Sequence, residues 1–266
     1  MFGKCRLCLQ EAELQRSHLL PRALHRLIGS GTDRVHPDTV QLTVNSRRKS
    51  SEQARRQLLC SACEQHLNHN GERWVLHNCY RGRGRFRLRS ELRRRTALTG
   101  SEVEAYAAFG EEITKLAHFC LSVVWRASLC DWLCRGETYR QIDLGPYQEQ
   151  IRGFMKSKSD VPQRVREMVL LSGLDRPRLE MSFPVAYRGD SAHCYRFHIP
   201  GVTFVATVGG GDSYVLEDQT SLQQPPHPVF IGKFGDRLAQ NEQMRLLGKV
   251  PPRGFEAPLV EGTEKI

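Results

Sequence analysis

Four cysteines near the start of the chain are spaced for metal binding. They form two Cys-x-x-Cys pairs, Cys5 with Cys8 and Cys60 with Cys63, and 51 residues separate the pairs. Two such turns place four thiolates in a tetrahedral arrangement, which holds structural zinc at roughly 2.3 Å per bond. The alternative is a redox pair, but the strand-and-helix context of thioredoxin-like folds is missing. The spacing therefore predicts a zinc site made by these four residues.

A histidine lies between the two cysteine pairs. It is His18 in the segment Ser-His-Leu-Leu-Pro that begins at Ser17. An imidazole can accept a proton near neutral pH, so a histidine beside a metal-held fold is a candidate general base or ligand. The alternative is a structural role, in which His18 only satisfies backbone groups beside the zinc site. Both interpretations stay open at this point.

The order of these motifs resembles the four-cysteine branch of the HNH endonuclease family. A Cys-x-x-Cys pair, a polar-His-aliphatic-aliphatic-Pro segment and a Leu-Leu-Cys-x-x-Cys run follow one another over about residues 5–75. In that family a ββα-metal hairpin and helix bind one catalytic divalent cation beside the zinc knuckles. The resemblance implies a metal-dependent nuclease that hydrolyses DNA phosphodiester bonds with Mg2+ or Mn2+, and it implies that His18 is the general base.

The ligand positions of the family are matched in part. Ser17 stands where the family has Asp or His, and no asparagine stands at residues 54–56, where the family has one. Glu64 takes the place of the family's final histidine and is an acceptable ligand for a hard cation. The resemblance thus implies that His18 and Glu64 are catalytic, with Glu64 and His69 as candidate ligands of the catalytic cation.

Arginines are concentrated in residues 81–95, where eight of the fifteen residues are arginine and one is acidic. The net charge of +10 also favours a polyanionic partner, nucleic acid first. As a strand, this segment would place alternate arginines on one face, along a phosphate backbone. A solvated linker, or a segment that folds on RNA, is the alternative. The predicted nucleic-acid contacts are Arg81, Arg83, Arg85, Arg87, Arg89, Arg93, Arg94 and Arg95, with Arg22 and Arg26 near His18 as phosphate clamps.

The longest periodic pattern predicts a central helix. Ser101 is a good N-cap with Glu104 three residues later, and apolar or small residues recur at three-four spacing from residue 106 to residue 134. Arg126 in this pattern is either a buried partner for an acid or a surface residue with an apolar stem. The remaining patterns predict helices at 145–156 and 161–172, and strands at 179–185, 194–198, 202–208 and 228–231.

These patterns predict an α+β fold. It comprises an N-terminal zinc-stapled ββα-metal-like module, a long central helix, and C-terminal helices with a small antiparallel sheet. The predicted boundaries are a zinc-binding module at 1–80, an arginine-rich connector at 81–100, a helical and antiparallel-sheet domain at 101–250, and a loose tail at 251–266. The sequence leaves open whether residues 101–250 bind a protein partner or form a homodimer. No apolar stretch could span a membrane and no signal core is evident, so we expect a cytoplasmic protein with no membrane partner.

Two functions stay open on the sequence. The first is an HNH-like nuclease, and family-level association then suggests defence against foreign DNA or a mobile element. The second is a catalytically inactive, zinc-stapled module that binds nucleic acid or protein. His18 and Glu64 favour the nuclease, whereas Ser17 and the absent asparagine favour the binding module.

Overall fold

A computed structural model describes residues 1–29, 40–42, 47–49, 52–82, 84–100, 103–134, 137–156, 159–188, 192–209 and 220–247. Within these ranges the chain has the mixed α+β character predicted from the sequence. Its buried apolar residues form a continuous core that includes Leu7 near one end and Ile231 near the other. None of the helices in the described ranges is long and apolar enough to cross a membrane.

A small antiparallel sheet forms the N-terminal part. Its strands are Phe2–Lys4 (β1), Glu11–His18 (β2) and Arg55–Cys60 (β5). β2 is the central strand, and its last residue, His18, lies opposite Arg55 of β5. The chain between β2 and β5 contains Arg22–Gly29 (α1) and the hairpin of Val40–Leu42 (β3) with Arg47–Lys49 (β4).

A helix with a π-helical turn follows β5 directly. It consists of Ser61–Leu67 (α2), a π-helical turn at Asn68–Glu72, and Arg73–Asn78 (α3). The wider turn changes which residues share a face of the helix, and Glu72 comes close enough to Glu64 for the two charges to interact. Single π-helical turns within helices are frequent at functional sites.

The arginine-rich segment is a turn and a short helix. Tyr80 and Phe86 form an isolated antiparallel bridge, and the helix Arg87–Leu92 (α4) follows. Phe86, Leu88 and Leu92 are buried in the core. Residues 87–92 therefore do not form the strand that the arginine alternation suggested, because Leu88 and Leu92 lie four residues apart and pack inward as neighbours on one helix face.

The central helix, Glu111–Ala127 (α5), is shorter than predicted. Gly110 has φ 49°, which other residues rarely adopt, and the chain changes there from extended to helical. The prediction also covered two flanking strands, Glu104–Ala107 (β7) and Trp132–Cys134 (β8), because their apolar residues continue the helical spacing. Ser101, the predicted N-cap, lies outside the described residues. The antiparallel partners of these strands are Thr99–Gly100 (β6) and Glu137–Tyr139 (β9).

A seven-stranded sheet packs against α5. Its further strands are Val165–Ser172 (β10), Ser182–Arg188 (β11), Ala192–Ile199 (β12), Val202–Gly209 (β13) and Pro228–Gly232 (β14). The strand order is β11-β12-β13-β10-β14-β7-β6. β10 and β14 are parallel, so the sheet is mixed, and the prediction of a small antiparallel sheet is corrected.

β10 stands where a helix was predicted at 161–172. Its Glu167 interacts with Cys120 of α5, whereas Leu170 lies against Gly235 on the opposite face of the sheet. A strand that is buried on both faces lacks the polar-apolar alternation of a half-exposed strand, and periodicity then cannot distinguish it from a buried helix. The helix predicted at 145–156 is confirmed as Tyr147–Met155 (α6), and Gly235 belongs to the last helix, Phe234–Leu247 (α7).

Close contacts hold α5 between the seven-stranded sheet and the π-helical turn of Asn68–Glu72. On the sheet side, the Phe119 ring lies 5.2 Å from the Phe204 ring, which stacks on Phe197 at 5.0 Å. On the other side, a Cβ atom at Gly71 would lie 2.7 Å from the Phe119 backbone nitrogen. Glycine at this position therefore allows the π-helical turn to approach α5, and α5 is placed to contribute to a site in the N-terminal part.

We expect the substitution Glu167→Gln to stabilise the protein at alkaline pH. Glu167 is 0% exposed, and burial raises its pKa to about 8. The unfolded chain loses this proton near pH 4.3, so the contribution of Glu167 to native stability falls as pH rises from there and levels off above about pH 8. Glutamine cannot ionise, and the free energy of unfolding should rise by roughly 5 kcal/mol at pH 8.5 and by less than about 1 kcal/mol at pH 4.5. Denaturant unfolding at both pH values, with the exposed Glu13→Gln as control, measures this; equal effects at both would contradict it.

Candidate functional site

The four cysteines form one cluster. Their sulfur atoms all lie within 4.8 Å of one another. Cys5 and Cys8 lie in the turn between β1 and β2, and Cys60 and Cys63 lie at the start of α2. The Cys60 backbone N–H donates to Cys5 Sγ at 3.3 Å, and Cys8 Sγ lies 3.9 Å from Cys60 Sγ. The four residues are therefore close enough to bind one metal ion, as their spacing predicted.

The backbone around Cys5 favours the thiolate form of this residue. Leu9, with φ 64°, donates its N–H to the Cys5 carbonyl at 2.8 Å and closes the turn. Burial raises the pKa of Cys5, but hydrogen bonds from the backbone N–H groups of Cys8, Cys60 and Leu7 outweigh it and lower the pKa to about 7. Since the thiolate is the species that binds a metal, this turn is prepared for a ligand role.

Five polar residues from four elements form a second group, here called the His18 cluster. Ser17 and His18 end β2, Glu64 lies in α2, Glu72 lies in the π-helical turn, and Arg126 lies in α5. The Arg126 guanidinium donates to the His18 carbonyl at 2.9 Å and to the Glu72 carboxylate at 2.5 Å. The cluster therefore joins the N-terminal sheet and helix to the central helix.

The groups around His18 keep its imidazole neutral at pH 7. Burial lowers the pKa of His18, and the charge of Arg55 lowers it further. Contact with the Gln53 side chain opposes these effects, while the charges of Arg126 and Arg22 add to them. A neutral imidazole is the form that accepts a proton, so His18 has the protonation state that a general base requires.

Glu64 is the carboxylate next to Ser17 in this cluster. Burial raises its pKa, whereas the charge of Arg126 and contact with the Ser17 hydroxyl lower it. The Glu72 carboxylate raises it again, although Glu72 is itself paired with Arg126. Glu64 is therefore the one carboxylate of the cluster that is free of an ion pair within the described residues.

Several buried polar atoms around His18 lack a hydrogen-bond partner of regular geometry among the described residues. They are Ser17 Oγ, His18 Nε2, Gln53 Oε1 and Glu64 Oε1. The Ser17 hydroxyl still acts on the pKa of Glu64, so that contact is badly oriented rather than absent. An unsatisfied buried polar atom costs about 1–3 kcal/mol. Such a group of atoms indicates a place that water, an ion or a ligand completes.

The structure brings one of the two predicted cation ligands to this place. Glu64 lies beside Ser17, but His69 is exposed and its backbone carbonyl accepts a hydrogen bond from Lys115. In the described part of the chain, the cysteine cluster is the only group of three or more metal-ligating side chains. The expectation for His69 is therefore corrected, because the π-helical turn buries Glu72 and leaves His69 outside.

Two arginines of the 81–95 segment already bind other groups of the protein. Arg89 is 7% exposed and donates to the carbonyls of Ser172, at 2.9 Å, and Leu174. Arg95 forms an ion pair with Glu112 at 2.6 Å. Arg89 cannot follow a phosphate backbone as predicted, and Arg95 is already neutralised by a partner.

The other predicted nucleic-acid contacts lie nearer the surface. Arg87 pairs with Glu91 at 2.7 Å and Arg93 with Glu104 at 3.2 Å, and exposed pairs of this kind are weak enough for a polyanion to displace. Arg83 lies outside the described residues. The exposed arginines among the remaining predictions are Arg22 and Arg26 of α1 with Arg81, Arg85 and Arg94.

Sequence reasoning did not assign a role in the site to Arg126 or Arg55. Arg126 lies in a helix whose neighbouring residues are apolar, and a buried charge of this kind needs a partner. The sequence therefore indicated that Arg126 would pair with a buried acid, and in the structure this acid is Glu72. Arg55 gave no local signal, since only strand pairing places it opposite His18.

Comparisons of the chain with family models, with curated proteins and with solved structures find no match.

Proposed function

We propose that the protein is an HNH-like nuclease that hydrolyses phosphodiester bonds in DNA, with its active site at the His18 cluster. The observation that supports this proposal best is the group of buried atoms on Ser17, His18 and Glu64 that lack a regular hydrogen bond. They lie where two antiparallel strands, β2 and β5, meet the helix that follows them. In this proposal the cysteine cluster holds zinc, since four thiolates in one shell suit that ion.

The proposed reaction uses His18 as general base. Its neutral imidazole accepts a proton from water, the water oxygen forms a bond to phosphorus, and the bond from phosphorus to the 3′ oxygen breaks. The leaving oxygen takes up a proton from solvent and His18 afterwards releases its proton to solvent, so one water is consumed for each bond cleaved. Arg22 and Arg55, whose charges act on His18, bind the phosphate oxygens in this proposal.

The His18 cluster offers the smallest set of protein oxygens that commonly holds a divalent cation. Mg2+ is commonly held by one or two carboxylates, water and substrate phosphate. The buried oxygens of Glu64 and Ser17, which contact each other only in poor orientation, are donors of the right type, and pairing with Glu72 offsets the charge of Arg126. Bound there, the cation would stabilise negative charge on the phosphate and on the leaving oxygen.

A binding module without catalysis is the second candidate. It is favoured by Ser17, a neutral side chain where an acid would hold a cation, and by Arg126, a positive charge in the same cluster. Such a module would hold nucleic acid through the exposed arginines and would show no cleavage.

A plasmid-nicking assay tests the proposal. Protein with measured zinc content is incubated with supercoiled plasmid and with Mg2+, Mn2+, Ca2+ or no added divalent ion. We expect nicking with Mg2+ or Mn2+ and none without a divalent ion. Salt-sensitive binding of the plasmid without nicking under any condition would replace the nuclease by the binding module.

We expect the substitution Ser17→Asp to raise the affinity for Mn2+ at least tenfold. A full charge about 4 Å from a divalent ion contributes roughly 8 kcal/mol at an effective dielectric constant of 20, and tenfold needs about 1.4 kcal/mol. Repulsion from Glu64 takes up part of this gain. Titration of Mn2+, followed by electron paramagnetic resonance, measures the effect. Ser17→Asn is the uncharged control of the same shape, and equal affinity in both variants would place the cation elsewhere.

We expect combined replacement of Arg22 and Arg55 by alanine to weaken DNA binding about tenfold. Each lost phosphate contact should also reduce the slope of log affinity against log salt by about 1. Fluorescence anisotropy with a labelled duplex at several salt concentrations measures both quantities. Arg140→Ala is the control, since Arg140 is exposed on the segment after β9. An unchanged slope in the double variant would show that DNA does not lie across His18.

A further inference from the structure

Arg126 is a buried arginine that extends from the central helix into the proposed active site. Its side chain is 1% exposed. Within its own helix it donates to the Ser122 carbonyl at 3.2 Å and contacts Ser122 Oγ at 3.4 Å. Its two outer nitrogens reach the N-terminal part, one to the His18 carbonyl and the other to Glu72. Hydrogen bonds thus occupy every nitrogen of the guanidinium.

We infer that Arg126 is the positioning residue of this site, tying the His18 backbone to the Glu72 carboxylate so that α5 completes the active site. The inference rests on the proposed function. It gives the chain beyond residue 100 a part in the reaction, whereas the sequence placed the whole active site within residues 1–80.

The geometry of the guanidinium suits this role. It is planar and presents its donors in a fixed fork, so two acceptors that it binds together are held at a set separation. His18 is the last residue of β2, where strand pairing ends and the chain turns toward α1. The hydrogen bond at 2.9 Å holds that last carbonyl from outside the sheet. Small displacements of a catalytic group lower rates strongly, so such a restraint has a catalytic effect.

Stability by itself explains this pair poorly. Burial of two charges removes their hydration, and the mutual attraction in the interior often does no more than offset that cost. An apolar pair of similar volume would fill the same space between α5 and the π-helical turn. A role in positioning gives the pair a function that an apolar contact would lack, because only the arginine donates to the His18 carbonyl.

The test compares two buried arginines in the full-length, zinc-loaded protein. The double substitution Arg126→Gln with Glu72→Gln removes the fork and leaves no unpaired buried charge. Arg89→Gln is the matched control, because Arg89 is also buried and also donates to two backbone carbonyls, away from His18. Zinc content and thermal unfolding of both variants show whether each is folded.

Amide hydrogen exchange over residues 17–20 reports the position of His18 without any need for activity. We expect exchange there to be at least about tenfold faster in the Arg126→Gln/Glu72→Gln variant, and unchanged in Arg89→Gln. Unchanged exchange in both variants would overturn the inference. Because this measurement needs no cleavage, it still decides the inference if the wild-type protein proves unable to nick DNA.

Kinetics separate positioning from substrate binding. We expect kcat for nicking to fall by roughly 10- to 100-fold in the double variant, with KM for plasmid within about twofold. Arg126→Lys keeps the charge but lacks the fork, so its kcat should lie between those of the wild type and the double variant. An equal loss of kcat in Arg89→Gln would overturn the inference, since the effect would then follow from the loss of any buried arginine. If the double variant does not fold, Arg126→Lys carries both measurements.

Discussion

The substitution Cys60→Ser is expected to lower the free energy of unfolding by about 4 kcal/mol or more, and Tm by roughly 10 °C. Cys60 ends β5 and begins the turn into α2, so it joins the sheet and the helix to the turn between β1 and β2. A serine hydroxyl is a poor ligand for zinc, and the ion would be lost or weakly held. The thiolates of Cys5, Cys8 and Cys63 would then lose the ion that balances their negative charge.

Two measurements on one sample check this. Elemental analysis should give one zinc per chain for the wild type and much less for Cys60→Ser, and thermal unfolding should show the drop in Tm. Cys194→Ser is the matched control, because Cys194 is a half-buried cysteine outside the cluster. The zinc assignment fails if wild-type protein holds no stoichiometric metal and Cys60→Ser melts at the wild-type temperature.

The substitution His18→Ala is expected to lower the nicking rate by about 10²- to 10⁴-fold, the range typical of a lost general base. The loss is large because no other group of the cluster can replace His18 as the base. In the cluster, Glu72 is paired with Arg126 and Glu64 is the candidate cation ligand, so neither is free to take the proton from water. Zinc content and Tm should remain close to those of the wild type, since His18 is not a ligand of the cysteine cluster.

Initial nicking rates at saturating Mn2+ measure this loss. His193→Ala, a change at an exposed histidine of β12, is the control for a lost imidazole. Full activity in His18→Ala would remove His18 as the base while leaving the nuclease proposal open. A loss in both variants would point to a general effect on the protein.

The cysteine cluster could be predicted from the sequence because its chemistry is local. Each Cys-x-x-Cys pair lies in a single turn, so its spacing alone brings two thiolates together. Pairing the two turns required only that both exist, and the structure confirms that Cys5, Cys8, Cys60 and Cys63 meet. The helix at 145–156 could be predicted for a similar reason, because α6 presents one buried face at regular spacing.

The errors arose where tertiary contacts override local spacing. The residues around Tyr106 continue the periodicity of α5, yet Tyr106 pairs with Val229 in the sheet. Residues 165–172 were predicted as part of a helix, yet they pair with β13 and β14 in the sheet, and their buried Glu167 and Ser172 break the apolar alternation of a strand. Among the arginines, alternation with glycine suggested a strand, but burial of Leu88 and Leu92 makes the second half of that segment a helix.

By itself the sequence determined the four cysteines that could hold a metal, the α+β class and the place of His18 between the two cysteine pairs. The tertiary structure alone decided what surrounds His18: Arg55 from the neighbouring strand, Glu72 from a π-helical turn, and Arg126 from a helix more than 100 residues away. The physical reason is the range of the interactions. A turn of four residues sets its own geometry, whereas the pairing of a buried charge depends on which distant acid the packed core brings within hydrogen-bonding distance.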